Sequence, residues 1–324
     1  MSPIRVYYNC GAPKEAGLIA TYQNAVIIHN PSARGLFGRR AARFERAVEI
    51  LRKAGHGVSA VATGGPGTAG AVARDWIEKG ADLILAAGGD GTINEVANGM
   101  VGSPVPMGIL PGGTANVLGI ELGVGARPEM AAQRLGECVP RRIATGVLRA
   151  SGESEPRHFL LMAGVGFDAA IVNKVDPELK RRSGKLAFWI AGFREVFSLQ
   201  PMFEVFDGSR TLRCSFALAS RVRNYGGTVE LAGHASLASE DFAAVLIQGR
   251  RPVAYLRLLP AAFLGHLEKQ RGVTALRARK LEFRAATDAP VYVQVDGEAA
   301  GRLPASVEIL PDALTLLVPP EFRG

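Results

Sequence analysis

A glycine-rich turn between a buried strand and an amphipathic helix constrains the fold of this chain most. Residues 83–87 form an apolar run that predicts a buried strand, and residues 88–92 (GGDGT) follow it directly. Apolar residues then recur at helical spacing, namely Ile93, Val96, Ala97 and Met100. Thr92 and Glu95 have the spacing of a capping box, so we expect the helix to begin there. This order of elements predicts one unit of an α/β domain.

The same turn has the properties of a phosphate-binding loop. Glycines let backbone N–H groups face a ligand, and the start of a helix adds partial positive charge. Asp90 inside the loop indicates a divalent cation, because Mg²⁺ binds carboxylates together with substrate phosphates. We therefore expect a nucleotide-using phosphotransferase, with an ordinary tight turn as the alternative. The predicted nucleotide-binding residues of this loop are Gly88, Gly89, Asp90, Gly91, Thr92, Ile93 and Asn94.

A second glycine-rich turn follows another predicted strand. Residues 107–110 lead into residues 112–116 (GGTAN), where we expect Gly113, Thr114 and Asn116 to face the same nucleotide. Thr114 would donate to a phosphate oxygen, or it would only cap a helix. Asn116 would hold either the loop or a ribose hydroxyl.

A third strand end carries polar side chains. The predicted strand at residues 25–28 leads into Asn30, which we expect in the same crevice unless residues 30–35 form an ordinary turn. Ligands of parallel sheets bind at the carboxyl ends of the strands, where all three of these turns fall.

The pattern of elements changes near residue 142. Residues 24–142 alternate strands with helices, which predicts a parallel sheet and a nucleotide-binding α/β domain. Residues 143–310 carry short β-like runs separated by turns, which favour an antiparallel β-sandwich or barrel. Residues 1–23 form an N-terminal extension, and helical insertions are predicted near residues 178–198 and 252–267. The β-like runs are 157–163, 203–206, 212–219, 243–248, 281–285, 291–295 and 307–310.

The charge balance is basic, with 38 Lys and Arg residues against 30 Asp and Glu residues and a net charge of +8. This excess favours an anionic membrane surface over nucleic acid, because no basic stripe with interleaved aromatic residues is present. Three widely spaced cysteines are typical of reduced cytoplasmic thiols and lack metal-ligand spacing. No apolar run reaches the roughly 20 residues of a spanning helix, so we expect a cytoplasmic protein with peripheral membrane association.

Two stretches place basic residues beside apolar ones. Residues 180–182 precede the apolar residues 186–193, and residues 250–251 precede the apolar residues of 255–264. Such a pattern suits the headgroup region of an anionic bilayer, although buried helices flanked by arginines look the same. The aromatic side chains expected to insert are Trp189, Phe193 and Tyr255.

Together the loops resemble the diacylglycerol kinase catalytic-domain family, which includes bacterial lipid kinases and the sphingosine and ceramide kinases. The resemblance runs from about residue 24 to residue 320. Its motifs are Asn30-Pro31, residues 88–94, residues 113–116 (GTAN) and Asp296-Gly297-Glu298. GGDGT alone is shared with NAD kinases and phosphofructokinases, whereas GTAN selects the lipid branch.

The resemblance implies a nucleotide domain of the NAD kinase and phosphofructokinase type, a β-sandwich lipid domain, and a return of residues 311–324 to the first domain. It implies ATP and Mg²⁺ as cofactors, with Thr63 assisting the loop residues named above. Glu298 matches the family's proposed proton acceptor, and Asp90 is the second expected catalytic residue and a metal ligand. The acceptor would be a lipid hydroxyl, such as that of diacylglycerol, ceramide or a sphingoid base.

The chain departs from the family pattern in two places. Many members follow the GTAN motif with Asp, where this chain has Val117. Residues 235–242 lack an Asp-Gly pair that contributes to a cation site in some members, and Glu240 or Asp241 would have to substitute.

Several alternatives stay open at this point. The Asp296-Gly297 pair could form a plain hairpin turn instead of presenting Glu298 to a cleft. The chain could phosphorylate a soluble acceptor such as NAD, or it could be a non-catalytic regulator that binds nucleotide or lipid. The sequence names no obligate protein partner, and it leaves a homo-oligomer open.

Overall fold

The structure is a computed structural model that describes residues 21–31, 41–174, 200–225, 229–249 and 251–324. The predicted helix at 178–198 lies outside the described residues, as do the basic residues 180–182, Trp189, Phe193 and Arg250. Most of the turn at 30–35 is also outside them.

Helices and strands alternate in the first half of the chain, and strands dominate the second half. The helices are α1 (Ala41–Lys53), α2 (Ala69–Glu78), α3 (Asp90–Met100), α4 (Val117–Glu121), α5 (Pro128–Arg134), α6 (Phe167–Lys174) and α7 (Pro252–Phe263). The first strands are β1 (Ala25–His29), β2 (Val58–Ala62), β3 (Leu83–Gly88), β4 (Met107–Pro111), β5 (Val139–Ser151), β6 (Arg157–Phe159) and β7 (Met162–Gly166). Then follow β8 (Phe203–Phe206), β9 (Thr211–Cys214), β10 (Phe216–Ser220), β11 (Asn224–Tyr225), β12 (Val229–Glu230) and β13 (Phe242–Ile247). The last are β14 (Val273–Ala278), β15 (Lys280–Ala285), β16 (Tyr292–Val295) and β17 (Glu298–Val318).

The first four strands form a parallel sheet in the order β2-β1-β3-β4. Strand β3 is buried along its whole length, as expected for a parallel strand covered on both faces. Helix α1 packs against α5, and α2 packs against α3. The predicted parallel-sheet α/β domain is confirmed.

The later strands form the predicted antiparallel β-sandwich. Strands β14, β13, β10, β7 and β16 pair antiparallel in that order, and β5, β15, β8 and β9 extend the network on the other side of β17. Aromatic rings fill the space inside it: the rings of Phe159 and Phe242 stack with centroids 5.6 Å apart, and Phe203 meets Phe283 edge to face.

Strand β17 joins the two architectures. Its first residues pair with β16, its middle pairs with β15 and β5, and Leu316 near its end pairs in parallel with Met107 of β4. One hydrogen-bonded network therefore links the parallel sheet to the sandwich. No helix in the described part of the chain combines the length and apolar character that crossing a bilayer requires.

The capping box predicted at Thr92 and Glu95 is wrong. Helix α3 begins two residues earlier, at Asp90, and Gly89 is its N-cap residue. The Glu95 carboxylate instead accepts hydrogen bonds from the N–H groups of Gly67 (2.9 Å) and Ala69 (3.2 Å) at the start of α2. Glu95 therefore caps the neighbouring helix, a contact between residues that lie 26 and 28 positions apart.

Candidate active site

The four parallel strands end at one edge of the sheet, and backbone hydrogen bonds continue beyond their ends. The Asn30 N–H donates to the Ala87 carbonyl at 3.2 Å, and the Thr63 N–H donates to the last carbonyl of β1 at 2.9 Å. The Gly112 N–H donates to the Gly88 carbonyl at 2.7 Å. These bonds bring Asn30, Thr63 and the two glycine-rich turns to a single crevice.

The two glycine-rich loops touch each other. A Cβ atom on Gly113 would lie 2.6 Å from the Cα of Gly89, so no side chain fits at that position. The Asn116 carboxamide accepts from the Gly113 N–H at 2.7 Å and donates to the Ala126 carbonyl at 3.1 Å. Asn116 therefore holds the loop, whereas Thr114 is exposed at its tip.

Asp90 connects the same two loops. It is the first residue of α3, and its carboxylate accepts the Leu118 N–H at 3.3 Å, with further bonds from the N–H groups of Asn116 and Val117. Burial raises the pKa of Asp90, and the backbone donors act in the opposite direction. Asp90 therefore accepts hydrogen bonds from the start of α4 while it lies inside the first glycine-rich loop.

The side chains that follow Asp90 are held by neighbouring loops. Thr92 Oγ1 accepts a hydrogen bond from Asn30 Nδ2 at 3.4 Å, and Ile93 is buried in the core. Asn94 Nδ2 donates to Asp296 Oδ2 at 2.7 Å. The side chains of Thr92, Ile93 and Asn94 are therefore held within the protein and do not extend into the crevice as free groups.

The Asp296-Gly297 turn is both a hairpin turn and part of this site. Both residues have left-handed backbone conformations, with φ of 49° and 83°, as a type I′ turn requires. The Asp296 carboxylate accepts hydrogen bonds of 2.9 to 3.0 Å from N–H groups of the segment between β6 and β7 and of the first residue of β7. The donors are the N–H groups of Leu160, Leu161 and Met162. These bonds divide the strand predicted at 157–163 into two, which corrects that prediction.

Glu298, the first residue of β17, faces the first glycine-rich loop. A Cβ on Gly91 would lie 2.7 Å from Glu298 Oε1, so the carboxylate is in contact with the backbone of α3. Arg157 donates to Glu298 Oε2 and, through Nη1, to the Ala299 carbonyl at 3.1 Å. Sequence reasoning missed Arg157, which begins a strand and has no neighbouring motif to mark it.

A cavity of about 370 Å³ opens beside this ion pair. It lies between helices α2 and α3, and its lining includes Arg74, Asn98, Arg157 and Glu298. Asn98 is fixed by hydrogen bonds to the backbone of His158 at 2.9 Å. The cavity offers room for a hydroxyl group next to the Glu298 carboxylate.

The residues predicted for a second metal site are bound to arginines. Glu240 accepts from Arg279 Nη2 at 2.8 Å, and Asp241 accepts from Arg277 Nε at 2.7 Å. Within the described residues, no group of three or more His, Cys, Asp or Glu side chains is arranged to hold a metal ion. A cation at Glu240 or Asp241 would therefore have to displace a guanidinium group.

Two domain families match this chain. The diacylglycerol kinase catalytic domain matches residues 24–148, and the YegS C-terminal NAD kinase beta sandwich-like domain matches residues 162–318.

Individual proteins also match over most of the chain. A diacylglycerol kinase of Mycobacterium tuberculosis is 26% identical over 312 residues, which are 94% of this chain and 96% of that protein. An uncharacterized protein of Synechocystis is 28% identical over 249 residues. This match covers 75% of this chain and 56% of that protein's length. A crystal structure of a proposed diacylglycerol kinase from Bacillus anthracis has a TM-score of 0.75 at 19% identity, and the match covers 95% of this chain and 99% of that one. This structural likeness shows a common fold.

Proposed function

We propose that this chain, which belongs to the diacylglycerol kinase catalytic-domain family expected from its motifs, transfers the γ-phosphate of ATP to the hydroxyl group of a lipid. One observation carries the proposal: the Glu298 carboxylate lies against Gly91 of the phosphate-binding loop and opens to a cavity. A phosphate donor and an alcohol acceptor would meet at that point.

The loops would hold the nucleotide. Backbone N–H groups of residues 88–91 and the start of α3 would bind the phosphates, because a helix N-terminus with free N–H groups favours anions. Thr114, exposed at the tip of the second loop, would donate to a phosphate oxygen, and Asn30 and Thr63 would line the other side. Phosphoryl transfer depends mainly on such positioning and on neutralising charge.

Asp90 is the residue that would hold Mg²⁺. A single protein carboxylate fits this ion, since Mg²⁺ usually takes one or two carboxylates together with phosphates and water. Bound Mg²⁺ would neutralise charge on the phosphates during transfer. Asp90 would orient it while tying α4 to the loop through the Leu118 N–H.

Glu298 would act on the acceptor. An alcohol is a weak nucleophile, and a carboxylate within hydrogen-bond reach can accept its proton as the new bond forms. Arg157 holds the carboxylate in one orientation, which favours attack from a fixed direction. The acceptor would be a lipid alcohol of the kind that the family resemblance implies, and the cavity beside Glu298 would receive its hydroxyl end.

The test is transfer of radiolabelled γ-phosphate from ATP into separate acceptors. We expect label in at least one of diacylglycerol, ceramide and a sphingoid base dispersed in detergent, and none in NAD. Label in NAD alone would make the chain a kinase of a soluble acceptor. ATP binding with no transfer to any acceptor would favour a regulator that binds nucleotide without catalysis.

A further inference from the structure

Helix α7 is two-sided, and its inner side is part of the core. Tyr255, Leu258 and Ala262 are buried. The Tyr255 hydroxyl shares a 2.6 Å hydrogen bond with Ser215 Oγ, and its ring lies 4.4 Å from that of Phe167. Tyr255 therefore does not insert into a membrane, and that prediction is wrong. The helix is anchored through this side.

The outer side of α7 is apolar and exposed. Val253 is 67% exposed, Phe263 58%, and Leu256 and Leu259 38% each, and Leu264, the residue directly after the helix, is 71% exposed. These five residues, which we call the α7 face, are half of the ten large hydrophobic side chains that are exposed in the described part of the chain. Exposed apolar side chains concentrated on one helix mark an interaction surface more often than scattered ones do.

Basic residues lie along the N-terminal half of the α7 face, and the exposed Glu230 carboxylate lies near Gly265 at its C-terminal end. Residues 251–271 contain four Lys and Arg residues and a single acidic residue, Glu268. Arg251 and Arg257 are exposed beside Val253 and Leu256. Apolar side chains with an arginine border are typical of helices that lie in the headgroup region of anionic bilayers.

We propose that the α7 face docks this protein on the surface of an anionic phospholipid bilayer. The charges favour this occupant over a second copy of the chain, because residues 251–271 carry an excess of positive charge, which attracts anionic lipid and which a second copy would carry as well. The proposal extends the proposed function, since a lipid acceptor resides in a bilayer. Its test measures binding alone and needs no catalysis.

The experiment is sedimentation of the full chain with vesicles of phosphatidylcholine and phosphatidylglycerol. The triple variant Val253→Ser, Leu256→Ser, Phe263→Ser removes apolar surface without changing net charge. Its partition into these vesicles should fall about tenfold or more. The matched control is Val139→Ser, Phe206→Ser, Leu310→Ser, which removes apolar side chains of 38% to 43% exposure from strands elsewhere. The control should bind like wild type, and both variants should keep the wild-type thermal midpoint.

A second pair of variants tests the charges. Arg251→Gln with Arg257→Gln should lower binding to anionic vesicles several-fold. Arg46→Gln with Arg302→Gln, which removes the same charge elsewhere on the surface, should lower it less. Rising salt should weaken wild-type binding, because it screens this attraction.

Three results would overturn the proposal. In the first, the α7 triple variant binds the vesicles as well as wild type does, or it loses no more vesicle binding than its control does. In the second, the two double arginine variants lose vesicle binding equally, which would assign the attraction to net charge and not to the α7 face. The triple variant could also convert a wild-type dimer to a monomer with vesicle binding unchanged, which would make the face a contact between copies. Phosphate transfer to detergent-dispersed lipid is scored separately, so a failure of docking and a failure of the kinase proposal are distinguishable.

Discussion

Glu298 and Gly91 are in direct contact, although 206 positions of sequence lie between them: a methyl group on Gly91 would stand 2.7 Å from Glu298 Oε1. This contact places the carboxylate at the second residue of helix α3, within the first glycine-rich loop. The size of residue 91 therefore controls where the carboxylate can lie.

Gly91→Ala tests this contact. The added methyl group would push the end of the flexible Glu298 side chain aside, so we expect stability to stay near wild type while kcat falls at least about tenfold. Gly64→Ala is the control, because nothing lies within 4 Å of a Cβ at that position. Steady-state kinetics and thermal unfolding of both variants provide the measurement. Wild-type kcat in Gly91→Ala would show that the Glu298 position is unimportant.

A pair of substitutions separates the two roles proposed for Asp90, which are binding Mg²⁺ and holding the start of α4. Asp90→Asn keeps an oxygen that can accept the Leu118 N–H but removes the charge, so the thermal midpoint should hold while transfer falls by more than about tenfold. Asp90→Ala removes both the accepting oxygen and the charge. Its unfolding free energy should therefore also fall by about 1 kcal/mol, which is typical of the loss of a helix cap. Retention of more than about a tenth of wild-type activity in Asp90→Asn would restrict Asp90 to a structural role.

Arg157 is a positioning residue for Glu298. Arg157→Gln should lower kcat about ten- to a hundredfold with little change in KM for ATP, and Arg157→Lys should recover part of the loss. Arg149→Gln is the control, because Arg149 pairs with Glu308 at 4.0 Å on an exposed surface. Parallel losses in kcat and ATP affinity would instead place Arg157 at the nucleotide.

The buried carboxyl group of Asp296 should make the unfolding free energy depend on pH. Burial raises its pKa from 3.8 to about 6, despite three backbone donors that act in the opposite direction. A folded-state pKa above the unfolded value means that the stabilising contribution is present below about pH 4 and is lost as pH rises through about 6. The unfolding free energy of wild type relative to Asp296→Asn should therefore fall by about 2 to 3 kcal/mol between pH 4 and 7.5. If the stability of wild type relative to Asp296→Asn rose with pH, the N–H donors would lower the pKa of Asp296 by more than burial raises it.

Local pattern predicted the elements that bring the loops together. Strand β3 is a continuous apolar run followed by glycines, and that combination indicates a buried parallel strand with a ligand-binding turn at its end. Short β-like runs separated by turns likewise predicted the sandwich. Both signals arise from residues close together in the chain, which is why they were visible without the structure.

Contacts between distant segments were not predictable in this way. Glu95 has capping-box spacing from Thr92, yet its carboxylate binds the start of α2. The strand predicted at 157–163 is broken by Asp296, more than 130 positions away. In α7 both sides are apolar, so periodicity could not decide that Tyr255 faces the core.

The most direct test of the proposed mechanism is kinetics of Glu298→Gln with ATP binding measured on the same preparation. Glutamine keeps the size of the side chain but accepts a proton poorly, so kcat should fall by roughly 10² to 10⁴. The ATP dissociation constant should stay within about twofold of wild type, because Glu298 acts on the acceptor. A near-normal kcat, or a loss of ATP binding that matches the loss of rate, would contradict the assignment of Glu298 as the proton acceptor.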